Sequence, residues 1–263
     1  MAGRKLVNYQ SHARSAVTKS VTRTPTLRAL SLLIVLTLTA CGSAVIPSPP
    51  TMLSPAEHRQ PRGIDLSFRW ITTPEFDPLS PEGTFVRACV ESYELARDGI
   101  GTEWGYPGFA DASPPNIDMM LKLDQLALTF KSTVYYRLLR RQSGSNSTRI
   151  TLCRYGEASI RQKEGWEHGA WAPQPVLIAF ETGGSPPPEG ERGRFRAPTT
   201  DVFGDWKVTV FDLFADDIDG QPSLSQQCDH DLTGLPTLPA EPYPRAEPVP
   251  PLPPSPGWPG VGL

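Results

Sequence analysis

Apolar and polar positions alternate from Ile64 to Ile71, with Leu66, Phe68 and Trp70 on one face, and this period of two predicts a strand. The period then lengthens. Ser80-Pro81 supplies a capping side chain and a proline suited to the first helical turn, and Gly99 supplies a stop. Between them, at about 100° per residue, Phe85, Ala88, Cys89, Tyr93, Leu95 and Ala96 share one face. Arg87, Glu91 and Glu94 take the opposite one, as on an amphipathic helix. A loop rich in glycine and aromatic residues, Gly101 to Phe109, leads to Pro114-Pro115, after which Asn116 to about Gln125 reads as a second helix. The period of two then returns. Thr133 to Arg141 and Arg149 to Tyr155 flank the polar turn Gln142 to Ser147, which predicts a hairpin. Pro175 to Thr182 and Asp205 to Phe214 complete a run of four strands separated by long proline-rich loops. Helices followed by hairpins predict an α+β domain over residues 62–235, its N-terminal helices packed on a curved antiparallel sheet of about four to five strands.

The flanks have a different texture. Ala29 to Ala40 is uncharged and apolar, and Arg4, Lys5, Arg14, Lys19, Arg23 and Arg28 precede it with no acidic residue. A membrane span needs about 20 apolar residues, so residues 1–40 read instead as a secretory signal. The run ends in Leu38-Thr39-Ala40-Cys41-Gly42, which resembles the lipobox of bacterial lipoproteins. That resemblance implies cleavage before Cys41, acylation of its thiol, and a protein held by its lipid at the extracytoplasmic face of the bacterial cell membrane. Residues 41–61, punctuated by Pro47, Pro49, Pro50, Pro55 and Pro61, read as a semi-extended tether. Residues 236–263 are again dense in proline, which lacks the amide donor that ladders and helices need, and so read as a disordered tail. Tyr243 and Trp258 are its candidate anchors for a partner in the envelope or the wall.

Charge narrows the function. The chain has 25 basic and 28 acidic residues; without the leader's six basic and no acidic residues, 19 and 28 remain, a net charge of −9. That balance argues against nucleic acid as a partner. Arg137, Arg140, Arg141, Arg149, Arg154 and Arg161 cluster in sequence, and on strands such a run reads as a solvated face. With Cys41 lipidated, Cys89, Cys153 and Cys228 remain. Cys153 with Cys228 is the expected disulfide, and Cys89 joined to either is the alternative. No Cys-x-x-Cys or paired histidines suggest a metal, no cofactor motif is present, and neither a Gly-x-Ser-x-Gly elbow nor a phosphate loop occurs. His58, His168 and His230 have no sequence-adjacent partner. Asp216-Asp217-Ile218-Asp219-Gly220 fails as a calcium loop, because Ala215 and Gln226 would stand where carboxylates are required.

The helix-then-hairpin order resembles the cone-shaped fold of ketosteroid isomerases and nuclear transport factors, and Gly204-Asp-Trp-Lys-Val-Thr-Val-Phe211 resembles its closing strand. Tyr106-Pro-Gly-Phe109, Thr151-Leu-Cys-Arg-Tyr155 and Asp201-Val-Phe-Gly-Asp-Trp-Lys-Val208 resemble uncharacterised secreted lipoproteins of actinobacteria. The cone likeness implies a pocket between helices and sheet, with Glu181 and Asp212 as the carboxylates to inspect there. Three readings follow: a binding or interaction module at the envelope, a carrier or sensor of small apolar ligands, and, least favoured, an enzyme with no assigned catalytic residue.

Overall fold

The computed structural model of the chain describes residues 60–124, 128–213, 215, 223–230 and 232–260. Helix α1 (Pro81–Gly99) begins where Ser80 Oγ accepts the amide of Gly83 at 3.0 Å. Its left-handed cap falls on Ile100 (φ 60°) and not on Gly99. Gly99 answers a different need, since a Cβ there would collide with the Trp104 ring.

Seven strands form a mixed, open sheet: β1 (Ile64–Ile71), β2 (Phe130–Ser143), β3 (Ser147–Arg161), β4 (Trp166–Ala170), β5 (Gln174–Glu181), β6 (Lys207–Asp212) and β7 (Tyr243–Arg245). β1 runs parallel to β2, and every other pairing is antiparallel. The long β3 forks the sheet. Its first half pairs with β5, which carries β6, and its second half pairs with β4, which carries β7. The α+β class therefore holds, with more strands than the sequence suggests and a parallel pair in place of a wholly antiparallel sheet. The shorter helices are α2 (Phe109–Ala112), α3 (Ile117–Asp124) and α4 (Leu224–His230). Among the described residues, no helix is long and apolar enough to cross a membrane.

The strand period sorts side chains onto two faces. Val134, Tyr136, Ile150 and Leu152 join the main core with Phe85, Val86, Val90 and Leu95 of α1. Tyr135, Cys153 and Tyr155 face the other way, where Cys228 of α4 and Leu235 and Leu238 pack on them.

The stretch expected to hang free as a tail is folded onto the body. The Leu252 amide donates to Thr133 Oγ1 (2.9 Å) and the Val249 amide to Ser159 Oγ (2.8 Å). The chain then crosses the open edge of β1, exchanging bonds with Phe68 and Trp70 through Ser255, and drives Trp258 into the core beside α1. Proline limits the ladder here to the three residues of β7, and elsewhere single amides between the prolines meet side chains and one strand edge.

Candidate functional site

The helix–sheet gap expected to hold a pocket is filled. Phe85 packs against Phe180, Phe203 and Trp206, and Tyr93 stacks on Phe211 at 4.1 Å. Glu181 stands exposed at the end of β5, opposite Lys207. Asp212 is half-buried at the far end of β6, opposite Leu177. The register separates the two carboxylates along the strands and brings them to no common site. Cys41, His58, residues 216–217 and 219–220, and most of the tether lie outside the described residues.

Cys153 and Cys228 are joined in a disulfide, with 5.4 Å between their Cα atoms, while Cys89 is a buried free thiol whose pKa burial pushes up. The side chains expected on a solvated helix face are buried too. Glu91 accepts from Trp70 Nε1 (2.7 Å), Tyr106 Oη (2.6 Å) and Trp258 Nε1 (2.8 Å), with Arg87 Nε at 3.6 Å. Burial raises its pKa, and Arg87 and the three donors oppose that. One turn on, Glu94 meets Arg154 (2.5 Å), Arg97 (2.9 Å) and the hydroxyl of Tyr136. Burial alone would raise its pKa, but the two guanidinium groups and their hydrogen bonds bring it down to about 2. Arg154 is thus a buried counter-ion and not part of a solvated arginine face. Both carboxylates are closed off and satisfied, so this cluster holds elements together and offers no room to a ligand.

Polar groups collect in a different way on the outer face. β3 carries Glu157 and Ser159, β4 brings His168 opposite Ser159, and β7 adds Tyr243 and Arg245 at the rim. Glu157, His168, Tyr243 and Arg245 border, with Thr237, Leu238, Pro239, Val249 and Pro250, an open hollow of about 620 Å³. Ser159 Oγ lies 3.0 Å from His168 Nδ1, and Glu157 Oε2 lies 3.5 Å from His168 Nε2. Because Ser159 Oγ already accepts the Val249 amide, its own proton is free for Nδ1, which leaves the imidazole proton on Nε2 facing Glu157. Burial lowers the His168 pKa; Glu157 opposes this and Arg245 adds to it, so the ring is neutral at pH 7. Glu157 and Arg245 form no ion pair with each other among the described residues. The Tyr135 hydroxyl, diagonal to Glu157 across the β2–β3 register, is buried without a hydrogen-bond partner among the described residues.

A serine, a histidine and a carboxylate in series have the connectivity of a nucleophilic relay. Accessibility decides against that role. Ser159 is wholly buried and its oxygen is occupied by Val249, so no substrate carbonyl can reach it. The relay instead sets the imidazole tautomer and ties down the covering segment. What remains open to a ligand is a carboxylate, a guanidinium and a phenol around a partly apolar floor, with the imidazole nearly buried beneath them.

Sequence reasoning ended the second hairpin strand at Tyr155 and so missed Glu157 and Ser159. The signal was present, because Glu157, Ser159 and Arg161 continue to alternate with Ala158 and Ile160. Arg245 lay in the stretch read as a tail, and its place on the same hollow as Glu157 depends on a pairing that no local pattern announces. Comparison with protein-family models, with curated proteins and with solved structures found no match.

Proposed function

We propose that this chain is a lipid-anchored protein of the bacterial cell envelope. Cys41 is its acylated residue, residues 41–61 its tether, and the folded domain a binding module that meets its partner through the outer hollow. The observation that carries the binding reading is a contrast. The interior between α1 and the sheet is filled by Phe85, Phe180, Phe203 and Trp206, while Glu157, His168, Tyr243 and Arg245 gather around an open hollow. A carrier of apolar molecules needs the enclosed space that these rings occupy. An open recess of mixed polar and apolar lining supports reversible recognition of something outside the domain.

The test is made in cells with the full chain, labelled with an alkyne fatty acid and carrying a photo-crosslinking residue at Leu238, in the hollow, or at Met119, 57% exposed on α3. Acyl label on the native chain and none on Cys41→Ser is expected, with envelope material captured from position 238 and not from 119. Absence of label overturns the anchor. Equal capture at both positions, or none at 238, overturns the hollow as the binding surface.

A further inference from the structure

We infer that the ligand of the outer hollow is a saccharide, a neutral chain of hydroxylated rings; this rests on the binding reading above and names its ligand class. The first argument is the mixture of donors and acceptors on the lining. Glu157 offers carboxylate oxygens, Arg245 offers guanidinium N–H groups beyond the Nε that donates to the Glu247 carbonyl, and Tyr243 offers a phenol. Sugar hydroxyls donate and accept at once, so a chain of rings can meet the carboxylate at one point and the guanidinium at another.

The second argument is shape. The hollow is broad and open, at about 620 Å³, with Tyr243 40% exposed on its lining and its ring 5.5 Å from that of His168. An exposed aromatic face gives the C–H side of a sugar ring a surface to lie on, and Leu238, Pro239 and Val249 continue that apolar strip. An amino-acid zwitterion would also find a charge of each sign here. In a recess this open, though, solvent-exposed ion pairs contribute little, so charge complementarity alone cannot hold a small ion against water. A ligand that spreads many modest contacts over a long recess fits better.

The test uses the purified full chain, saturation-transfer NMR and calorimetry. The probes are a soluble N-acetylglucosamine tetramer and, in a parallel arm, the dipeptide Ala-Gln. Binding of the tetramer with transfer to ring protons is expected, weakened about tenfold in Tyr243→Ala through loss of the aromatic platform. Glu157→Gln, which keeps one acceptor oxygen, weakens it less. Both residues are at the surface, and unchanged thermal unfolding of each variant separates lost binding from lost fold. Binding of the dipeptide without the tetramer overturns the saccharide, as does tetramer binding that neither variant alters. If Leu238 captures a peptide in cells and the tetramer does not bind, the saccharide fails while the binding module stands. If Leu238 captures nothing, both fail.

Discussion

The indole nitrogen of Trp258 donates a 2.8 Å hydrogen bond to Oε2 of Glu91, a buried carboxylate 167 residues earlier in the chain. The same ring lies under the guanidinium of Arg87 at 4.1 Å and edge-on to Tyr106 at 5.6 Å. The last third of the fold is thereby fastened to α1. Trp258→Ala empties a large core site and leaves Glu91 short of a donor, and is expected to destabilise the domain by about 4 kcal/mol. Trp258→Phe retains most of the ring and loses only the donor, and is expected to lose about 1–2 kcal/mol. Urea unfolding measures both, and wild-type midpoints in both variants would mean that the segment does not seal the core.

The two buried glutamates give opposite pH dependences. Glu94 titrates at about 2 when folded, against 4.5 unfolded. The unfolded chain therefore takes up its proton first as pH falls, and the stabilisation, full above pH 4.5, is lost as pH drops toward 2. The size is about 3 kcal/mol by linkage. Glu91 has a raised pKa, so its contribution is full below the unfolded value and fades as pH rises through the folded one. Urea unfolding across pH 2–7 is expected to show acid loss in the native chain. In Glu94→Gln that slope is smaller, although the variant is weaker at neutral pH because Arg97 and Arg154 lose their shared partner.

The disulfide between Cys153 and Cys228 spans 75 residues and ties α4 to the middle of β3. Replacing both cysteines by alanine releases that loop in the unfolded chain and is expected to destabilise by about 4 kcal/mol. Reductant should reproduce the change in the native protein and have no effect on the double variant. Equal midpoints with and without reductant would count against the bridge.

At the end of α1 the left-handed position belongs to Ile100, a β-branched residue 49% exposed. Ile100→Gly relieves the clash of Cβ with the backbone and is expected to gain about 1 kcal/mol. Gly99→Ala moves the other way, by about 2 kcal/mol or more, because the new methyl group strikes Trp104. Thermal unfolding of the pair should shift in opposite directions.

Local pattern made β1, α1, the β2–β3 hairpin, β5 and β6 legible, since each alternates or caps within its own residues. It misread the polar side of α1, because Arg87, Glu91 and Glu94 have helix spacing but partners that lie far away in sequence. Trp258 and Arg154 reach them from the last segment and from β3. β4 and β7 have no apolar alternation to announce them; Trp-Glu-His-Gly-Ala and Tyr-Pro-Arg become strands only by pairing with what is already there. The sequence favours Cys153 with Cys228 but leaves Cys89 as an alternative partner for either, whereas bringing Glu157 and Arg245 to one hollow requires three strands to be placed first.

The crossing of Ser255 over β1 also governs how the molecule comes into being. The strand that leaves the ribosome first in this domain has its open edge closed by residues made 186 positions later, counted from Arg69 to Ser255. Until those residues emerge, the nascent domain presents a bare edge and an empty tryptophan socket. A contact of such long range delays closure until Trp258 has been made. The domain thus reaches its compact form only after that residue has emerged, and a product stalled or clipped before it is left sticky and open to proteases.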